Sequence, residues 1–145
     1  KGASKIVALD INPAAIENAK ENARLHGFSD VIDVRLSNIF GSLHKNEKFD
    51  VIIANLPFVK RVADDVVEKS VWDTNLNTNK KFFDEVKKYL KPDGRVYLAQ
   101  SNFGEVDEVL ALAKTQGFVV KLIGQTEIPA DVSRIFYAFE LKIRT

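Results

Sequence analysis

The run Phe49-Asp-Val-Ile-Ile-Ala54 is apolar enough for a buried strand, and it runs into Asn55-Leu56-Pro57-Phe58. An amide, a proline and an aromatic close that strand where open α/β sheets keep their ligands, beyond the carboxyl ends of the strands. Pro57 fixes φ and has no N–H, and Leu56 before it is biased toward extended backbone. The segment is therefore expected to be stiff, with its carbonyls aimed consistently and a flat ring beside them. Asp10, in Val-Ala-Leu-Asp-Ile-Asn-Pro, is an acid between a strand and a helix. Such an acid accepts hydrogen bonds from both hydroxyls of a ribose, or simply sits well near a positive helix end. Ser37-Asn38-Ile39 follows Val-Ile-Asp-Val-Arg-Leu, a run that alternates apolar and polar. There Asn38 suits the edge of an adenine and Ile39 its face, and a plain polar turn is the alternative.

The elements that must carry these residues follow from spacing. Lys5 to Leu9 reads as a strand, and Asn12-Pro13 as an N-cap with proline at the first helical position. Ile16, Ala19 and Ala23 recur at helical spacing up to a stop at Gly27. Val31 to Leu36 alternates apolar and polar as a second strand, and Phe49 to Ala54 is a third, apolar as a strand covered on both faces would be. Residues 59 to 77 predict a loop with a short helical turn. Phe82, Phe83, Val86, Tyr89 and Leu90 predict an amphipathic helix ended by a turn at Lys91-Pro92-Asp93-Gly94. Arg95 to Gln100 is a strand. A helix follows through Val106, Val109, Leu110 and Ala113, capped by Asn102 with Glu105 and stopped at Gly117. Phe118 to Ile123 and Ile135 to Ile143 complete the strands. Alternating strands and helices predict a parallel sheet with helices on both faces. The last two strands have no helix between them and so are expected to be antiparallel.

In their order and spacing, Val-Ala-Leu-Asp-Ile-Asn-Pro, the Leu-Ser-Asn turn and Ile-Ile-Ala-Asn-Leu-Pro-Phe resemble class I S-adenosylmethionine-dependent methyltransferases. Asn-Leu-Pro-Phe is similar to the Asn/Asp-Pro-Pro-Tyr/Phe motif of the amino methyltransferases, including the release-factor glutamine N5-methyltransferase group and the small-domain N-methyltransferases. The resemblance covers nearly the whole chain. It implies an α/β Rossmann-like three-layer sandwich, mostly parallel, with an antiparallel last strand. It implies S-adenosylmethionine as cofactor and a planar nitrogen of protein glutamine or of an RNA or DNA base as methyl acceptor. It implies cofactor contacts from Asp10, Ile11, Ser37, Asn38, Ile39 and Asn55, with Asp10 on the ribose hydroxyls, Asn38 on the adenine amine and Ile39 on the ring. On the acceptor side it implies Asn55 and the carbonyl of Leu56 or Pro57 as acceptors for the target NH2, with Phe58 stacked on the target. Leu56 departs from the commoner proline. The family's glycine-rich loop is expected upstream of Lys1, since no Gly-x-Gly occurs in this sequence. Residues 1–145 would then be the catalytic domain without its first strand and helix, a fragment open to being inactive by itself.

Composition narrows the field further. The chain has 145 residues, 46% hydrophobic and 28% charged, with a formal net charge of +1. That balance directs it to neither nucleic acid nor membrane by charge alone. There is no cysteine, and His26 and His44 stand apart, so no metal site is expected. No apolar run approaches the ~20 residues of a membrane helix, and a cytoplasmic location is the expectation. Trp72 and Asp73 read either as lining a substrate entrance or as loop residues covering the core. The lysines at 80, 81, 87, 88 and 91 read best as a solvated helix face. Two rival functions remain open on the residues: a NAD-dependent oxidoreductase fragment using Asp10 on the ribose, and a non-catalytic nucleotide-binding module.

Overall fold

A computed structural model describes residues 2–129 and 133–144. The chain divides into two compact units, residues 1–44 and 45–145.

In the first unit, β1 (Ile6–Asp10) pairs in parallel with β2 (Ile32–Leu36), Ile6 opposite Ile32 and Asp10 opposite Leu36. Between them runs α1 (Pro13–Leu25). Its start is local chemistry: the Asn12 side chain accepts from the Ala14 N–H at 3.0 Å, and Pro13 follows where no N–H is needed. Its end is equally local. The Phe28 N–H reaches the Ala23 carbonyl (2.8 Å) and the Gly27 N–H the Arg24 carbonyl (3.2 Å). Gly27 has φ of 71°, the left-handed conformation that such a helix stop demands. Ile16 and Ala23 are the buried residues of this helix. Residues 2–5 form no helix ahead of β1.

The second unit is built on a four-stranded sheet in the order β3-β4-β6-β5. These are β3 (Phe49–Ala54), β4 (Leu90–Ser101), β5 (Phe118–Ile128) and β6 (Arg134–Ile143). β3 and β4 are parallel, and β6 is antiparallel to both β4 and β5. This is the mixed α/β arrangement expected from a final pair of strands with no crossover helix. α2 (Asn77–Glu85) and α3 (Val106–Thr115) supply the crossovers, and α3 packs on β5. Phe83, Val86, Val96, Val109, Phe118 and Leu141 form the centre of the core, each at most 1% exposed. The Phe83 and Phe118 rings meet at 6.2 Å and 61°, the tilted contact that aromatic pairs prefer.

Several boundaries differ from the sequence expectation. The helix through Phe82 begins earlier, at Asn77, and tightens to a 3-10 turn over Val86–Tyr89. β4 starts at Leu90, because the Phe49 pairing reaches back past the proline and glycine. Asn102 does not cap α3; its amide donates to the Ser133 carbonyl and accepts from the Ile135 N–H, tying that loop to β6. Residues 59 to 77 contain two 3-10 turns, Glu68–Ser70 and Thr74–Leu76. β3 is not covered on both faces. Val51 is 45% and Ile53 81% exposed, and β4 is its sole ladder partner among the described residues. No helix of the described residues is long and apolar enough to cross a membrane.

One charge cluster on this sheet gives a pH prediction. The Glu140 carboxylate lies near Arg95 (3.2 Å) and Lys142 (3.4 Å) and accepts from the Tyr97 hydroxyl (3.2 Å). Burial pushes its pKa up, but Lys142, Tyr97 and Arg95 together outweigh burial and hold it below the ordinary carboxylate range. A carboxyl lowered on folding stabilises above its unfolded pKa and loses that contribution as pH falls through the folded value. Glu140→Gln should therefore flatten the acid-side dependence of melting temperature on pH. An unchanged slope in thermal melts across that range would discount the cluster.

Candidate functional site

The first group of candidate residues gathers at the carboxyl end of the β1–β2 pair. The Ser37 N–H donates to the Asp10 carbonyl at 2.8 Å, so the Ser37–Ile39 turn is bonded directly to the end of β1. Asp10 is exposed. Its Oδ1 accepts from the Asn12 N–H at 2.7 Å, while Oδ2 has no donor among the described residues. Ile11 beside it is 41% exposed. Ile39 has φ of 55°, a left-handed conformation that a β-branched residue rarely adopts. Such strain costs on the order of 1–3 kcal/mol and persists where neighbours enforce it. Here Ser37 does so: its hydroxyl donates to the Ile39 carbonyl (2.8 Å) and accepts from the Ser42 N–H (3.0 Å). Ser37 is 7% exposed, and its hydroxyl is engaged within the turn. The exposed Asn38 and the half-buried Ile39 are what the turn presents. An open carboxylate oxygen beside an amide and an apolar side chain is a set that fits the ribose and adenine of an adenosyl group.

The second group follows β3 in the other unit. Asn55 is exposed, and its side chain has no hydrogen bond among the described residues. Leu56 (8% exposed) and Pro57 are buried and anchor the loop. The backbone beyond is held from several sides. The Asn79 amide donates to the Pro57 carbonyl at 2.7 Å. The Phe58 and Val59 N–H groups both reach the Val71 carbonyl (3.1 Å each), and the Glu105 N–H reaches the Phe58 carbonyl at 2.8 Å. Of the two carbonyls expected to receive a target NH2, that of Pro57 is thus engaged internally. That of Leu56 accepts no hydrogen bond among the described residues. The half-buried Phe58 ring meets Phe103 edge-on at 5.0 Å and 82°, and Phe103 meets Phe136 at 5.6 Å and 83°. This row of aromatics limits the tilt of Phe58.

Gly104 is required by close approach. A Cβ there would lie 2.3 Å from the Phe58 carbonyl oxygen and 2.8 Å from its carbon, both backbone atoms. Gly104→Ala should displace the acceptor loop and destabilise the protein by about 1–3 kcal/mol. It should also depress activity more than an alanine at an exposed loop position does. A variant with native melting temperature and native turnover would remove this role.

Neither the close approach at Gly104 nor the burial of Asn79 was legible in the sequence. Asp73 lines no entrance; it is 2% exposed and turned inward. Asn79 did carry one signal, a polar residue at helical spacing with Phe83 and Val86 on the apolar stripe of α2. Trp72 is half-buried, with the Arg61 guanidinium 4.0 Å over its ring.

Comparison with known proteins decides the class. The family described as methyltransferase domain matches residues 1–134. The chain belongs to the methyltransferase domain family. A protein of Methanocaldococcus jannaschii named as a protein N5-glutamine methyltransferase is 32% identical over 149 residues, covering 97% of this chain and 73% of that protein. The release factor glutamine methyltransferase of Aquifex aeolicus is 34% identical over 118 residues, covering 79% of this chain and 40% of that protein. This methyltransferase domain therefore spans less than half the length of the second relative. Among solved structures, a ribosomal protein L11 methylase from Lactobacillus delbrueckii subsp. bulgaricus superposes with a TM-score of 0.67 at 19% identity. That likeness covers 99% of this chain and 60% of the other and establishes the shared Rossmann-like fold. The methyl donor of this methyltransferase domain is S-adenosylmethionine, which sets aside the nicotinamide-dependent alternative.

Proposed function

We propose that this methyltransferase domain methylates the side-chain amide nitrogen of a glutamine in a protein substrate. The observation that carries the reading is the stiff Asn55-Leu56-Pro57-Phe58 loop, with one side-chain amide and one peptide carbonyl that take no hydrogen bond among the described residues, beside a ring. The two relatives named for glutamine methylation favour a protein amide over a nucleic-acid base.

A carboxamide nitrogen delocalises its lone pair into the carbonyl and is a poor nucleophile. Asn55 Oδ1 and the Leu56 carbonyl, each accepting one amide hydrogen, favour the geometry in which that lone pair turns toward the methyl. Phe58 holds the amide plane by stacking. When bound, S-adenosylmethionine supplies a methyl on a positively charged sulfur, so the leaving group departs neutral. As the nitrogen takes the methyl it becomes positive, and the same two oxygens stabilise that charge before a proton leaves to solvent. Asp10 holds the cofactor ribose, Asn38 and Ile39 the adenine. The remainder is placement, which supplies several kcal/mol of the barrier. No covalent nucleophile enters.

Residues 1–145 serve in this reading as the catalytic domain, completed by a glycine-rich strand, loop and helix. Among the described residues β3 has β4 as its one ladder partner, which supports a further strand on its other edge. The deciding experiment incubates the full-length protein with methyl-labelled S-adenosylmethionine and separate protein and RNA pools, then maps the label by mass spectrometry. Label on glutamine is expected. Label in RNA alone sinks the acceptor assignment, and binding of the cofactor with no labelled product favours the non-catalytic alternative.

A further inference from the structure

Asp73 and Asn79 form a buried polar pair with no part in the function proposed above. Asp73 accepts from the Thr78 N–H at 2.9 Å through Oδ1. Its Oδ2 accepts from the Asn79 N–H at 3.0 Å and from Asn79 Nδ2 at 2.8 Å. Asn79 is 0% exposed, and its Nδ2 donates its other hydrogen to the Pro57 carbonyl at 2.7 Å. Its Oδ1 is buried with no partner among the described residues.

That pattern is costly for stability. A buried polar atom left unpaired loses its hydration without return. The backbone around the pair is also strained, with Asn75 and Leu76 at φ of 54° and 56° and Leu76 only 2% exposed. An apolar side chain at position 79 would remove the unpaired Oδ1. It could not grip the Pro57 carbonyl.

We propose that Asn79, oriented by Asp73, is a positioning residue for the acceptor loop. The carboxylate presents only acceptors to Asn79, so the amide must turn its NH2 group toward Asp73 and Pro57. With the Pro57 carbonyl held inward, the peptide planes on either side are set, and the Leu56 carbonyl and Phe58 ring keep their aim. This inference rests on the Asn55-to-Phe58 loop being the acceptor site.

The test uses Asn79→Leu and Asp73→Asn in the full-length protein, with Asn55→Ala run beside them. Leucine keeps the branched skeleton and removes the unpaired oxygen, but it leaves the Pro57 carbonyl and Asp73 Oδ2 each one donor short, so the melting temperature should fall moderately. Turnover should fall about tenfold through misplacement of the reacting groups, with the Kd for S-adenosylmethionine unchanged. Amide hydrogen exchange at Phe58 and Val59 should speed up in the same variant, without added acceptor. Asp73→Asn sets an NH2 against either the Thr78 or the Asn79 N–H, loosens the hold on the Asn79 amide, and should reproduce both effects. The double variant should be no worse than either single one, as expected when two residues act as one unit. Native turnover and native exchange in Asn79→Leu overturn the positioning role. So does a double variant whose losses are the product of the single ones. If Asn55→Ala itself keeps activity, the failure lies in the acceptor-site reading, not in the clamp.

Discussion

Asn55→Ala is expected to lower kcat for methyl transfer by about 100-fold or more while leaving the Kd for S-adenosylmethionine nearly unchanged. Deleting one hydrogen-bonding group aimed at developing charge costs other enzymes about 10²–10³ in kcat. Asn55 faces a comparable demand, because positive charge grows on the nitrogen as the methyl arrives. The substitution is also clean. Asn55 is exposed and its side chain has no hydrogen bond among the described residues, so the fold loses little with it. Its single-turnover rate, cofactor affinity and melting temperature, measured together, separate the possibilities. Activity within a few-fold of wild type would mean that the amide does not hold the target nitrogen. An equal loss in cofactor affinity would move Asn55 to the cofactor side of the site.

Asp10→Asn is expected to weaken S-adenosylmethionine binding by on the order of 10- to 100-fold. That corresponds to losing about 1.5–3 kcal/mol of hydrogen bonding to a charged acceptor. Asparagine is the informative choice because its carbonyl oxygen can still take the Asn12 N–H that Asp10 Oδ1 holds at 2.7 Å. The strand-to-helix turn should therefore survive, and the deficit should fall on the open oxygen and the charge. Calorimetry on the full-length protein reads the change directly. Unchanged affinity would leave Asp10 as a helix-entry acid and nothing more. A loss of affinity with kcat preserved at saturating cofactor would place Asp10 firmly on the binding side.

Elements governed by near neighbours in the chain were legible without coordinates. Asn12-Pro13 starts α1 and Gly27 ends it, because caps and left-handed stops are made by residues within a few positions of one another. The antiparallel setting of β6 followed from the missing crossover between Phe118–Ile128 and Arg134–Ile143. Asn55-Leu56-Pro57-Phe58 stood out because proline, amide and ring act through local stiffness and residue type. The true start of β4 at Leu90 did not, since the Phe49 pairing that extends it spans some forty positions.

The amino-acid sequence alone determined the strand–helix order, the antiparallel last strand, and which residues close β1, β2 and β3. All of these are set by local propensity, periodicity and turn chemistry. Tertiary structure decided which groups around the acceptor loop are free to act. Only there does the Pro57 carbonyl prove to be taken by Asn79, and Gly104 prove to lie under Phe58. Hydrogen-bond partners twenty or more residues apart, and clearances measured between backbones, depend on how the chain closes on itself. No periodicity in the sequence encodes that closure.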